Sequence, residues 1–244
     1  MILQKKGATS HHKNKCVIVS NRPWNKNLID ALVKRTGFEF LLICDPAELT
    51  YQNLVSVNPR FVFFPHWSYR IESNIYEQFE CVIFHMTDLP FGRGGSPLQN
   101  LIARGIYETR ISALRCVEEM DGGPIYLKKP LSLYGSAEEI FLRASRVIEE
   151  MIVEMLEHQP LPLPQEGVPT VFKRRKPEES DLSTALSLEE IFDKIRMLDA
   201  EGYPNAVLNI GAFKIEFTRA SLKTDCVIAD VRISFNDKIN TKET

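Results

Sequence analysis

The stretch "FHMTDLPFGRGGSPLQN", Phe84 to Asn100, puts an imidazole, His85, at the end of an apolar run, with Asp88 three residues on and a glycine-rich bend behind it. A histidine can accept or donate a proton near neutral pH, so general acid–base work is the chemistry this residue type allows. A second imidazole, His66, ends another apolar run in "PHWS", and a carboxylate, Asp121, lies in "MDGGP". Each has a plain structural reading as well: a hydrogen-bonded core histidine for His66, a turn former before glycine for Asp121. His85 with Asp88 is a weak metal pair. With no H-x-x-x-H, H-E-x-x-H or cysteine–histidine cluster in the chain, no metal is expected. "GRGGSP" lacks the G-x-G-x-x-G spacing and follows the fourth apolar run rather than the first, which argues against a dinucleotide fingerprint, and neither G-x-S-x-G nor G-x-x-x-x-G-K occurs.

The elements around these residues predict how they are positioned. Cys16 to Ser20, Phe38 to Cys44, Arg60 to Phe64 and Cys81 to Phe84 read as strands, separated by helix-compatible stretches at Asn25 to Arg35, Ala47 to Val57 and Glu72 to Phe79. The strands do not alternate with polar residues, the mark of a sheet buried on both faces, so the fold class is α/β with a Rossmann-like, mostly parallel sheet and flanking helices. A strand pair, Tyr107 to Cys116 and Pro124 to Leu131, follows around "EEMDGGP", and Ser136 with Glu139 forms a capping box for a helix to about Glu157. Ligands of open parallel sheets bind beyond the carboxyl ends of the strands. Here those ends are "SNRPWN", "PHWS" and "HMTD", and a helix from Pro97 would aim free backbone N–H groups at the same crevice.

"QPLPLPQEGVPT", Gln159 to Thr170, holds four of the fourteen prolines and marks a boundary. The expected organisation is an arm over 1–15, a catalytic domain over 16–158, a linker over 159–183 and a small α+β domain over 184–244. In the last, Ser187 and Glu190 repeat the capping-box pattern, Ala206 to Ile210 and Phe213 to Phe217 flank Gly211-Ala212 as a hairpin, and Cys226 to Phe235 adds a strand. His11 and His12 fall in the arm, read as a flexible tail rather than a metal site. The net charge of −2 supplies no field for nucleic acid or anionic membrane, and no apolar stretch approaches the length of a span or signal core. The five cysteines, Cys16, Cys44, Cys81, Cys116 and Cys226, sit in apolar runs and read as reduced core residues of a cytoplasmic protein.

Phe84 to Ile125 as a whole resembles the signature of the folate-dependent formyltransferases, which include methionyl-tRNA, glycinamide ribonucleotide and sugar N-formyltransferases. Their pattern is asparagine, any residue, histidine, a leucine-proline and an arginine-glycine bend, then an aspartate with a glycine pair. His85, Leu89-Pro90, Arg93-Gly94, Pro97 and Asp121-Gly122-Gly123 fall on it. The resemblance runs from about Cys16 to Ser221 and implies His85 and Asp121 as catalytic residues and 10-formyltetrahydrofolate as co-substrate. Backbone around Pro65, His66, Trp67 and Ser68, and around Val117, Glu118 and Met120, would receive the pterin. Arg22 for a diphosphate, Trp24 stacked on a uracil or pyranose, and Arg93, Gly94 and Gln99 would meet the acceptor; Arg22 as a surface ion pair and Trp24 as a core plug are the structural alternatives, and Asn100 reads as a surface residue. "HWSYRI" with "FHMTDLPFGRGGSPLQNLI" is most similar to the pseudaminic acid type, whose acceptor is a UDP-linked 4-amino-4,6-dideoxy-N-acetyl-altrosamine. The implied partners are this nucleotide sugar and folate, without nucleic acid or membrane, and a homodimer is left open.

One position departs from the family pattern. Ile83 stands where the family has asparagine, and isoleucine donates no hydrogen bond to a developing oxyanion, so His66, Trp67 or Thr87 would have to supply one, or His85 would carry more of the load. The same departure keeps a non-catalytic sugar-nucleotide or folate binding module as one alternative. Methionyl-tRNA formyltransferase is the other, although "KRRK", Lys173 to Lys176, is the one dense cationic run and "PEESD" comes directly after it.

Overall fold

The four apolar runs become β1 (Lys15–Val19), β2 (Glu39–Ile43), β3 (Phe61–Pro65) and β4 (Cys81–His85), joined through α1 (Leu28–Thr36), α2 (Tyr51–Val57) and the single turn α3 (Ser73–Tyr76). This is a computed structural model, which describes residues 14–25 and 27–236; His11 and His12 lie outside the described residues. The chain continues through β5 (Arg93–Gly94), α4 (Pro97–Ile102), β6 (Glu108–Arg115), β7 (Ile125–Ser132), α5 (Ala137–His158), β8 (Val171–Phe172), α6 (Leu188–Arg196), β9 (Ala206–Ile210), β10 (Phe213–Leu222) and β11 (Val227–Phe235).

The main sheet has the order β2-β1-β3-β4-β6-β7, parallel from β2 to β4 and antiparallel where β6 and β7 join. Side chains alternate between two cores across it. Cys16, Ile18, Phe63, Val82 and Phe84 face one, against which α5 lays Ala144, Ile148, Met151, Ile152 and Met155; Val17, Val19, Val62, Phe64 and Cys81 face the other, with Ile83 and Trp67 packed alongside. Burial on both faces is why β1, β3 and β4 read as unbroken apolar runs; β2, at the sheet edge, exposes Leu41 and Leu42, so the expected burial on both faces does not hold for it. Ser136 caps α5 with both halves of its capping box formed. At α6 Ser187 accepts the Glu190 N–H, whereas the Glu190 carboxylate takes the N–H of Leu186, one residue before the cap expected for it.

The proline-rich segment is irregular yet tied down. Leu163 and Ile125 exchange two backbone hydrogen bonds, at 2.7 and 2.9 Å, and β8 lies parallel against β5, so the chain after α5 runs back over the loop beyond His85. The small module packs α6 on a three-stranded antiparallel sheet, β11-β10-β9. It is pinned to the main sheet by Arg196, 3% exposed, whose guanidinium donates to the carbonyls of Leu133 (2.6 Å) and Gly135 (3.0 Å) and pairs with Asp193. Cys16, Cys81 and Cys116 are buried, but Cys44 is exposed just past β2 and Cys226 half-buried, so the core assignment does not hold for those two. Burial pushes the Cys16 thiol up to about 12 and the Cys116 thiol up to about 11. No helix among the described residues is long and apolar enough to cross a membrane.

Candidate functional site

β4 ends on His85, whose ring is 7% exposed. Its Nε2 lies 2.8 Å from the Gly92 carbonyl, which can only accept, so Nε2 carries the proton of this bond. The other nitrogen, Nδ1, stands 3.6 Å from Asp121 Oδ2. One ring edge is therefore fixed by backbone, and the other is left to a carboxylate within ion-pair reach.

Asp121 is held as firmly. Its backbone is in the left-handed region at φ 52°, its Oδ2 accepts the Gly94 N–H at 2.8 Å, and its carbonyl accepts Gln165 Nε2 at 2.7 Å. Gly94 itself has φ 99°, and a Cβ there would come within 2.5 Å of the Phe172 carbonyl oxygen, so glycine is required for the loop to approach β8 and present its N–H. Arg93 donates to Gln165 Oε1 from Nε (3.1 Å) and Nη2 (2.8 Å) and pairs with Glu119 at 2.6 Å. Arg93 and Gly94, expected to touch the acceptor, instead position the Asp121 turn, because their polar groups are spent on it.

Around β1 and β3 the expected residues divide. Trp24 is 8% exposed, stacks on Phe141 at 4.5 Å and gives its indole N–H to His66 Nδ1 at 3.2 Å; no face is left for a uracil or a sugar, and the core-plug alternative describes it. Since His66 Nδ1 accepts from that indole, Nε2 bears the ring proton and points at Met86 Sδ, 3.1 Å away. Burial, with Arg22 as the lesser cause, pushes the His66 pKa down to about 3, so His66 is a neutral structural histidine and not an oxyanion donor. Thr87 is fully buried, its hydroxyl 3.4 Å from the Gly92 carbonyl, and it too drops out as a donor. Trp67 differs: its buried Nε1 has no hydrogen-bond partner among the described residues.

The segments expected to receive the pterin have backbone to spare. No N–H or C=O of Trp67, Ser68, Val117 or Glu118 is engaged by another backbone group among the described residues. Pro65 is buried and its carbonyl accepts from Asn25, whereas Met120 is 72% exposed. Arg22 reaches Ser68 Oγ from Nη2 at 3.0 Å and lies 5.7 Å from the ring centres of both Trp24 and Tyr203. It has no carboxylate partner among the described residues, and its buried Nε has no hydrogen-bond partner there. Gln99, 4% exposed, donates to the Met197 carbonyl at 3.1 Å, and Asn100, 8% exposed, donates to the carbonyls of Gly95, Ser96 and Lys173. Both tie α4 to later parts of the chain, so neither the sugar-contact reading of Gln99 nor the surface reading of Asn100 fits. Among the described residues no three metal-binding side chains come together.

The same arrangement can be compared with known proteins. Residues 177–234 match the family described as methionyl-tRNA formyltransferase, C-terminal domain. A solved structure named methionyl-tRNA formyltransferase, from Clostridium thermocellum, is 48% identical, with a TM-score of 0.88 over 91% of this chain and 99% of that one. The chain belongs to the formyltransferase superfamily.

Two more distant solved structures share the fold. A sugar N-formyltransferase from a Shewanella species superposes with a TM-score of 0.66 at 15% identity, over 88% of this chain and 100% of that one. HypX from Aquifex aeolicus, in complex with tetrahydrofolic acid, gives 0.70 at 15% identity over 86% of this chain and 38% of that one. The chain spans between 39% and 60% of the length of the first curated relatives it matches, all named methionyl-tRNA formyltransferase. Around His85 and Asp121, two contributors escaped the sequence reading. Gln165 bridges Arg93 to the carbonyls of Asp121 and Gly123 (2.7 and 2.8 Å), and the Gly92 carbonyl anchors His85. The first lies in a segment read only as a boundary, and the second is a backbone group, for which no residue type is a signal.

Proposed function

We propose that this chain transfers a formyl group from 10-formyltetrahydrofolate to the amino group of a nucleotide-linked amino sugar, with His85 and Asp121 managing the protons. The observation that carries the reading is the fixed ring edge of His85. With Nε2 committed to Gly92, the nitrogen that faces the Asp121 carboxylate is Nδ1, and a proton held there is stabilised by that charge. The folate, when bound, supplies the activated one-carbon unit. The unengaged backbone of Trp67, Ser68, Val117 and Glu118 suits the alternating donors and acceptors of a pterin edge, and the unpartnered Trp67 N–H adds a donor beside them. As the acceptor nitrogen bonds the formyl carbon and the bond from that carbon to the folate N10 breaks, His85 would take up at Nδ1 the proton that the amine loses and return it to N10 of the leaving tetrahydrofolate. Asp121, locked by Gly94 and Gln165, keeps the ring charge compensated.

The acceptor class is argued from charge. Over residues 184–236 acidic side chains outnumber basic ones eight to six, and Lys194, Arg196, Lys214 and Arg219 are each paired with a neighbouring carboxylate. Holding a transfer RNA calls for unpaired cations along phosphates. Arg22, which among the described residues has no carboxylate partner and a buried unpartnered Nε, suits one diphosphate instead. The finer assignment, UDP-4-amino-4,6-dideoxy-N-acetyl-altrosamine, rests on the wording of residues 66–71 and 84–102.

The name of the 48% identical relative favours a second reading, with methionyl-tRNA as acceptor. Mass spectrometry separates the two: the chain is incubated with 10-formyltetrahydrofolate and, in parallel, with the UDP-amino sugar or with methionylated initiator tRNA. A formyl gain on the sugar is the expected result; a gain on the tRNA alone overturns the sugar reading, and a gain on neither favours a binding module.

A further inference from the structure

After α6 the chain turns through residues 197–205, and this turn brings the small module against the residues that follow β1. Its shape is fixed at three points. The Tyr203 N–H bonds the Ala200 carbonyl at 3.2 Å, the Asp199 carbonyl accepts the Glu138 N–H from the first turn of α5 at 3.0 Å, and the Asp199 carboxylate accepts the Arg219 N–H at 2.8 Å. Tyr203 is thereby laid on Phe141, ring centres 5.3 Å apart, the same Phe141 that stacks on Trp24. Arg22 lies 5.7 Å from the ring centres of Trp24 and Tyr203, and a Cβ at Gly202 would come within 3.6 Å of its Nη1. The small module therefore borders Arg22.

Tyr203 is half-buried, and its hydroxyl makes no hydrogen bond among the described residues, so stacking holds the ring and its polar tip is unused. Burial pushes the phenol up from its ordinary value, so it keeps its proton and can donate; the charges of Arg22 and Arg174 are the lesser, opposing causes, and no carboxylate joins them. Arg174 belongs to the cationic run after β8, and its backbone is pressed on the glycine-rich bend. A Cβ at Gly95 would lie 2.8 Å from the Arg174 Cα, the Lys173 carbonyl takes the Asn100 amide at 2.9 Å, and the Arg175 N–H gives to Ser96 Oγ at 3.1 Å. Neither Arg22 nor Arg174 has a carboxylate partner among the described residues. Two uncompensated cations thus act on one free phenol, which is unfavourable until an anion joins them.

We propose that Tyr203 and Arg174 complete the acceptor site with Arg22, the Tyr203 hydroxyl and the two guanidiniums together holding the two phosphates of the acceptor's diphosphate. The assignment rests on the nucleotide-sugar reading and gives the small module its part in it. Each phosphate of such a diphosphate carries a negative charge, and Arg22 alone would leave the second uncompensated in a half-buried place. Arg174 supplies the missing charge. Tyr203 adds a donor at low conformational cost, because its ring is already stacked. Selection for two linked phosphates is then shared by the loop after β1, the segment after β8 and the small module, so the last of these acts in acceptor choice.

Titration calorimetry of the whole chain with UDP tests this, with Tyr203→Phe and Arg174→Gln alongside and tetrahydrofolate as the second ligand. Phenylalanine keeps the stack and loses the hydroxyl; glutamine loses the charge at an exposed position. The wild type is expected to bind UDP, Tyr203→Phe about 10- to 100-fold more weakly and Arg174→Gln about 10-fold more weakly, with tetrahydrofolate binding unchanged in both. UDP binding as tight in either variant as in the wild type overturns the proposal and leaves the nucleotide-sugar reading standing. A variant that loses UDP and tetrahydrofolate alike also overturns it, since its residue then serves the fold. A wild type that binds no UDP removes the nucleotide-sugar reading and the proposal with it. Affinity for transfer RNA that falls in Arg174→Gln while UDP binding stays overturns it as well, and gives that cation to the second acceptor reading.

Discussion

His85 presents Nδ1 to Asp121 Oδ2 at 3.6 Å while Gly92 holds its Nε2 at 2.8 Å, so proton traffic at this ring is confined to one nitrogen. Asp121→Asn removes the charge and keeps the shape. Formyl transfer by this variant is expected to fall by roughly 10² to 10⁴-fold, the range for a lost acid–base function, with an unchanged melting temperature. His85→Asn should lose as much, and the double variant no more than the worse single one, since the two act as a unit. Single-turnover rates of the three variants check this.

Gln165 is a positioning residue, since its amide spans Arg93 and two carbonyls of the Asp121 turn. In Gln165→Glu the oxygen facing Arg93 survives, but the nitrogen that donates to both carbonyls becomes an acceptor facing acceptors. The expected outcome is a fall of about 10-fold or more in kcat with little change in KM for the acceptor. A merely structural role would instead lower the melting temperature and leave the kcat to KM split alone.

His66 carries the acid lability. Its folded pKa of about 3 lies below the ordinary 6.5, so the unfolded chain binds the extra proton between these values. Stability is full above pH 6.5 and is lost as the pH falls toward 3, by about 1.4 kcal/mol per unit at most, or roughly 2 kcal/mol by pH 5. His66→Asn tolerates the left-handed backbone found there, at φ 56°, and removes the titration. Urea unfolding at pH 7 and pH 5 is expected to show a smaller difference for the variant than for the wild type.

These consequences were legible in the sequence to different depths. Strands β1, β3 and β4 announced themselves because both their faces are buried, and α5 because Ser136 and Glu139 cap it. His85 and Asp121 were legible as a pair through their ordered spacing with the bends between them. The roles of Arg93, Gly94 and Gln99 were not, because residue type says what a side chain can bond and not which neighbour takes the bond first. Trp24 is the sharpest instance: an indole beyond a strand end suits a nucleobase, yet Phe141, more than a hundred residues on, supplies the ring it stacks on. Gln165 lay hidden in a proline-rich segment whose backbone is irregular but whose contacts are specific.

Ile83 leaves the site without the family's amide donor, and Trp67 is the neighbour with a donor to spare. The two pack in the same core cluster, and the Trp67 Nε1–H is buried without a partner among the described residues, a state that costs free energy unless a bound group completes it. If that N–H faces the developing oxyanion, Trp67→Phe keeps the packing and removes the donor. Turnover should then fall by about 10² to 10³-fold, the cost of one such donor. Ile83→Asn alone puts an amide among apolar side chains and should lower stability by about 1 to 3 kcal/mol. In the Trp67→Phe background the same asparagine should recover part of the lost turnover, because it returns an N–H to the position where the family keeps one. Additive losses in the double variant would show that Trp67 serves packing and not the oxyanion.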